Sequence, residues 1–405
     1  METTSTRRWD IDWLRIGAVW LLIPFHAAMI FNPAPFYHVR DTDVSIIMTI
    51  LAGFISLWHM PLLFLLAGWS ARGSIGKRGG RVFLGERVGR LLIPLVLCSI
   101  VYGPPIKYAE LRGGQDMNFH GLHVSADLRD SFASVIPEPL PVAKPFHESF
   151  REFLPTFFTR LDRFTWSHLW FLAYLFTFSV LYLPILGWMR ARPPRRRPVP
   201  SWVVYLPIVP LALIQVYLRP HFPGVQNLVN DWANFAYYST YLLLGFALAC
   251  HPGFERAVHA EQRRAFGIGL GAMLMLLLAV LGVLESAPVT LALTAVAGWA
   301  FIVFLLGIAS TRLGDVDGQR RYLAEGSMAI YVLHQPAVVA VGSLVIGLPL
   351  GIAPSYLLVV GGAGLLTFAT YRYVVRRFPA LRVMHGMKGR LEPTPDPVAQ
   401  SLVLP

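Results

Sequence analysis

Apolar residues along this chain come in long blocks, unlike the narrow stripes of a soluble fold. The blocks lie at about 13–31, 46–69, 90–108, 168–189, 201–218, 233–250, 265–284, 288–309, 327–348 and 354–375. A hydrocarbon core of about 30 Å is crossed by roughly 20 helical residues. Inside it the backbone must satisfy its own hydrogen bonds, which a helix does within one segment. The pattern therefore predicts an all-α polytopic membrane protein of about ten transmembrane helices.

Composition agrees. The 405 residues are 55% hydrophobic, with a mean hydropathy of +0.53, and only 14% are charged. A soluble domain carries about 25% charged residues.

The net charge of +12 matters for its distribution. With both termini on one side, that side holds 25 Lys and Arg, from Arg7 and Arg8, the 70–90 loop, the 190–200 loop, two smaller loops and the tail. The other side holds nine, seven of them within 107–167, and Arg15 accounts for the last. By the positive-inside rule both termini are cytoplasmic. No aromatic-interleaved basic surface accompanies this charge, so it reads as topology and not as nucleic-acid binding.

Residues 1–378 form one transmembrane domain, and 379–405 read as a disordered cytoplasmic tail. The 107–167 segment is the one large extracytoplasmic insertion. Its first part is loop-like, with Gly113, Gly114, Pro137, Pro139 and Pro141. Its second part, PFHESFREFLPTFFTRLDRFTW, mixes aromatics with Arg and Glu as an interfacial amphipathic helix does. Arg7 and Arg8 ahead of an apolar run resemble a signal peptide. Asp12 and Arg15 interrupt that run, and Phe31-Asn32-Pro33 is a poor cleavage context, so it reads as a retained first helix. Cys98 and Cys250 both fall in predicted spans and offer neither a disulfide framework nor metal spacing.

Ionisable residues inside these blocks are the candidate chemistry. Arg15 and His26 lie eleven residues apart in the first span, about three turns, so they share a face roughly 16 Å apart along the axis. Each is costly in lipid and marks function by default. Their ordinary alternatives are a snorkelling anchor for Arg15 and a packing hydrogen bond for His26. Arg87 and Arg90, three apart at a helix start, put two guanidiniums on one face, an arrangement suited to phosphate. His59, His168 and His334 add a second theme, since imidazole acts as a base near neutral pH. His168 sits where it could meet an extracytoplasmic substrate, or anchor the interface beside Trp166 and Trp170. No mid-span acidic pair, no Ser-His-Asp order and no HExxH pattern appears, so no metal is expected.

These motifs resemble those of the acyltransferase-3 family of bacterial membrane O-acyltransferases, and most closely its glucan biosynthesis protein C-like branch. The resemblance rests on WDIDWLR at 9–15 with Arg15-x10-His26, HMPLLFLLAG at 59–68, Arg87-x-x-Arg90 ahead of LLIP, HLWFL at 168–172 and IYVLHQP at 330–336. It covers most of 7–377 and implies a multi-pass protein of the bacterial inner (plasma) membrane. It further implies transfer of an acetyl or succinyl group from cytoplasmic acyl-CoA (acetyl-CoA or succinyl-CoA) to a hydroxyl of an extracytoplasmic glycan such as a periplasmic glucan. On that reading His26 is the catalytic histidine, Arg15 its partner, and Arg87 and Arg90 acyl-CoA contacts. One departure stands out: many members carry Ser-Gly-Phe where this chain has Ala67-Gly68-Trp69, so no serine hydroxyl acts there.

Two rivals stay open. One keeps the chemistry on a lipid-linked or small secondary-metabolite acceptor. The other is an exporter of an anionic metabolite along the Arg15 face, against which the scarcity of mid-span carboxylates weighs. The charge asymmetry makes a direct prediction: reporters fused at Leu140 and at Arg195 read opposite sides of the membrane, and two cytoplasmic readings would refute the ten-span topology.

Overall fold

The structure, a computed structural model, describes residues 8–33, 37–115, 146–160, 163–192, 199–224, 226–313 and 318–390. Among them it is all-helical. Helix α1 (Trp9–Ile30) is followed by a short loop and by α2 (Ile46–Arg87), capped where Ser45 Oγ accepts from the Ile47 amide at 3.2 Å. A π-turn (Val88–Leu92) joins α2 to α3 (Ile93–Arg112) without a loop. The joined stretch of 67 residues would run about 100 Å if straight, far more than one bilayer. Gly79, at φ 79° and ψ 167°, interrupts it.

Helix α4 (Phe150–Thr159) is the amphipathic element expected near 145–166. It begins at a reciprocal Ser149–Glu152 capping box, as the S-x-x-E spacing dictates. Its buried face, Phe153 and Phe157, packs with Leu111 and Tyr108 on the end of α3, while Phe150 and Phe158 stay exposed. The helix is thus docked on the bundle and keeps a second apolar edge outward. The Pro-rich part of the insertion, 116–145, lies outside the described residues.

Helix α5 (Trp170–Leu181) meets α6 (Leu183–Ala191) at a 57° bend at Tyr182, where Pro184 follows. A 3₁₀ turn (Ser201–Tyr205), α7 (Ile208–Leu213) and a π-turn (Ile214–Leu218) make one more apolar stretch. Then come α8 (Trp232–Cys250), α9 (Pro252–Val280), α10 (Ala287–Arg312), α11 (Gly318–Val345) and α12 (Ile352–Ala369), the last prolonged by a π-turn to Val375.

Each of the ten apolar blocks falls mainly on helix, yet seven described segments are long and apolar enough to span, or eight with the bent pair. The count differs for three physical reasons. Two blocks merge in Ile46–Arg112, the block at 168–189 is bent, and the first half of α8 (WANFAYYST) is too polar. Part of the segment expected as a tail is described, 379–390. Pro379–Met384 forms α13, and Arg382 ties Arg376 O (2.7 Å) and Gly389 O. His385 Nδ1–H donates to Leu381 O (2.8 Å), leaving Nε2 to accept from the Tyr102 hydroxyl of α3 at 2.8 Å. Residues 391–405 lie outside the described residues. Both cysteines are buried free thiols.

The bundle is drawn tight where α2 crosses α8. A Cβ at Gly68 would sit 1.9 Å from the Leu242 carbonyl oxygen, and one at Gly245 would sit 1.9 Å from that of Leu65. The two backbones touch with no room for a methyl group, the close approach that small residues permit in membranes. This is where the Gly68 of the 59–68 motif acts. Gly68→Ala and Gly245→Ala are each expected to lower stability by about 3 kcal/mol, as overpacking does. Thermal unfolding in detergent measures this, with Gly53→Ala, which has open space around it, as the unaffected control.

Candidate active site

One end of the bundle collects cations. Arg15 Nη1 donates to Asp12 Oδ1 at 2.8 Å, and Nη2 donates to Ser70 Oγ at 2.6 Å, fastening α1 to α2. Ser70 passes its own proton to Leu66 O at 2.8 Å. The Arg87 guanidinium lies 4.7 Å over the Phe83 ring. Arg87 lies within electrostatic reach of both Arg90 and Arg15. Arg78 is paired with Glu86, as Arg15 is with Asp12. Three neighbouring guanidiniums repel one another, and an anion with several oxygens would relieve that repulsion.

Further along α1 the structure brings three of the predicted histidines together. His26 stacks on His334 with ring centroids 5.2 Å apart, and His334 meets the ring of His168 edge-on at 4.9 Å. Tyr37 stacks on the other side of His26 at 5.6 Å, and Phe25 and Tyr331 complete the surround. Hydrogen bonds fix two of the tautomers. His334 Nδ1–H donates to Tyr331 O, which leaves a lone pair on Nε2. His168 Nε2–H donates to Val332 O at 3.0 Å, which leaves one on Nδ1.

The HQP motif explains the second bond. Pro336 has no N–H for the carbonyl four residues earlier, so Val332 O is left open and His168 supplies the missing donor. The Tyr331 hydroxyl returns the tie by donating to His168 O. His168 is therefore buried inside the cluster and does not anchor an interface. Three buried ring nitrogens, His26 Nδ1, His168 Nδ1 and His334 Nε2, have no hydrogen-bond partner among the described residues. Buried polar atoms of this kind call for an explanation, of which a catalytic role is one.

His59 stands apart. Its Nε2–H donates to Ala18 O at 2.7 Å, and its ring packs beside Phe25 and Trp58. That bond stitches α2 to α1.

Beyond the end of α1 lies a group that sequence reasoning missed. His38, Lys107, Glu110 and Ser167 are all buried. Glu110 accepts from Lys107 Nζ at 2.5 Å and is 2.5 Å from His38 Nδ1, while His38 Nε2 is 2.9 Å from Ser167 Oγ. Carboxylates, read from the sequence as scarce within the spans, are represented here by Glu110, buried near the end of α3. Lys107 and Glu110 sit three apart at the end of a span, a spacing that pairs them on one helix face. Their position at the block's edge made them look like loop residues. Nothing in the local sequence marks His38 or Ser167. Among the described residues no group of three or more His, Cys, Asp or Glu is arranged to hold a metal.

A helical membrane bundle with clustered histidines at its heart and a cationic rim defines the class. The family model described as an acyltransferase domain matches residues 8–372, so the chain belongs to the acyltransferase-3 family. It is also similar to the proteins named Glucans biosynthesis protein C of Salmonella paratyphi B, Salmonella dublin and Salmonella enteritidis PT4. Each is 19% identical over 367 residues, covering 84% of this chain and 85% of the relative. No solved structure matches the chain.

The separate setting of His59 yields a prediction. His59→Leu removes one interhelical hydrogen bond, worth about 1 kcal/mol. It is expected to lower thermal stability slightly and leave acyl transfer within a few-fold of the parent. A loss as deep as that of His26→Ala would place His59 in the reacting cluster.

Proposed function

We propose that this protein is a multi-pass inner-membrane O-acyltransferase of a bacterium, with ten spans and cytoplasmic termini. It would move an acetyl or succinyl group from cytoplasmic acyl-CoA to a hydroxyl of an extracytoplasmic, glucan-like glycan. The observation that carries this reading is the layout of α1 in a chain of an acyltransferase family. The Arg15 end is gathered with Arg87 and Arg90, and the His26 end with His334 and His168. The distant glucan-related relatives support the acceptor class.

In this reading the CoA phosphates meet Arg87 and Arg90, and the thioester arm follows the α1 face past Arg15. His26 takes the proton of the acceptor hydroxyl as that oxygen attacks the acyl carbon. His334 and His168, with tautomers held by backbone carbonyls, keep the ring of His26 oriented and supply neighbouring lone pairs. General-base assistance of this type contributes about 10²–10⁴-fold.

Three measurements test the proposal. Glycans from a deletion strain should lack an acyl substituent that the parent carries, read by mass spectrometry. In purified protein, His26→Ala should lose about 10²-fold or more of transfer while still binding CoA. Arg87→Gln with Arg90→Gln should weaken full-length acyl-CoA more than a phosphate-free pantetheine thioester, because a neutral amide cannot fork onto phosphate. Equal weakening of both thioesters, or near-normal transfer by His26→Ala, would overturn these roles.

A further inference from the structure

The four groups beyond the end of α1 form an ordered chain of donors and acceptors. Lys107 Nζ donates to Glu110 Oε1, so Glu110 is held as a carboxylate, which can only accept. His38 therefore presents N–H from Nδ1 to Glu110 Oε2 at 2.5 Å. Its Nε2 then carries a lone pair, and the Ser167 hydroxyl donates into it at 2.9 Å. Nucleophile, base and orienting carboxylate stand in the relation that activates a hydroxyl for acyl transfer.

Backbone geometry sharpens the point. Ser167 has φ 47°, the left-handed region, and its N–H donates to Thr165 Oγ1 at 2.9 Å. Glycine or asparagine takes that conformation more readily, so a serine there is retained against local preference. The array also adjoins the histidine cluster. Ser167 is next in sequence to His168, and Tyr37, next to His38, stacks on His26.

We infer that Ser167 is a nucleophile that carries the acyl group as an ester, with His38 as its base and Glu110 as the group that orients His38. This rests on the acyl-transfer reading above and divides it into two steps. The donor is an acyl thioester. Ser167 Oγ bonds to the acyl carbon as its proton passes to His38 Nε2, and the C–S bond breaks to release a thiolate, which takes a proton from water. The acceptor hydroxyl then attacks the ester carbonyl and gives its proton to His26. The bond from the acyl carbon to Ser167 Oγ breaks, and Oγ recovers its proton from His38. His26 returns its proton to water, so nothing is oxidised or reduced and the proton count closes.

The test uses the full-length protein in detergent with two probes, a fluorophosphonate and radiolabelled acetyl-CoA, each located by peptide mass spectrometry. The fluorophosphonate should label Ser167 in the parent and in His26→Ala. Labelling should fall about 10²-fold in His38→Ala and vanish in Ser167→Ala. Glu110→Asp, which keeps a carboxylate against His38, should retain part of the labelling that Glu110→Leu loses. With acetyl-CoA, His26→Ala should accumulate acetyl on Ser167, because the second step is blocked. Ser167→Cys guards against a folding defect, since it keeps the volume and should carry acetyl as a thioester.

Normal transfer by a folded Ser167→Ala protein, an unlabelled Ser167 in a protein that transfers acyl groups, or equal labelling of the two Glu110 variants would overturn the inference. Absence of acyl transfer in the parent, with fluorophosphonate labelling of Ser167 intact, would instead sink the acyl-transfer reading and leave the activated serine standing.

Discussion

Glu110 is a fully buried carboxylate among membrane-length helices, and the site's geometry depends on how its charge is met. An unpaired carboxylate there would cost several kcal/mol, so it persists only with partners of matching geometry. Lys107, one turn back on the same helix, and His38, from the loop after α1, supply them. Through His38 the constraint reaches Ser167 at the entry to α5. Three segments distant in sequence are thereby held at one end of the bundle. Breaking such a pair costs more than forming it yields, because the abandoned charge has no water to turn to. That asymmetry makes the array rigid, a property that positioned chemistry requires.

The histidine cluster follows another rule of the low-dielectric interior, that every backbone carbonyl freed by proline must find a donor. Pro336 opens Val332 O, and His168 closes it. The same bond fixes which nitrogen of His168 keeps its lone pair. Backbone irregularity thus sets side-chain chemistry. The close crossing of α2 and α8 at Gly68 and Gly245 plays a complementary part, since it sets the rigid frame on which α1 is packed.

The helical class, the positions of the helices and half of the site were legible from sequence because they arise from local rules. Arg15 and His26 stand out as ionisable residues in an apolar run, and HQP carries its own proline logic. His38, Lys107, Glu110 and Ser167 were not legible, because their meaning comes from contacts spanning up to 129 residues. Edges of apolar blocks are also where pattern reading is weakest, so a buried Lys-x-x-Glu pair was taken for loop. His168 was misread toward the interface since its tryptophan neighbours imitate an interfacial belt. The span count shifted for a related reason: an apolar pattern does not show that a π-turn joins two blocks into one stretch, and the apolar end of α8 masks its polar start.

A division of labour emerges along α1. At its start, Arg15 binds Asp12 of α1 and Ser70 of α2, part of a cationic rim that on the proposed function would receive the donor. Past its end, the surroundings are built from the 37–40 loop, the end of α3, the docked α4 and the turn at 165–169. Loops and short docked helices tolerate sequence change far better than closely crossed helices do. Acceptor preference is therefore expected to be written in that outer wall. A relative only 19% identical could keep the rim and the histidines yet act on a different hydroxyl. On the proposed function the spacing between the two ends carries weight, because eleven helical residues would set how far an acyl group travels before it meets a base.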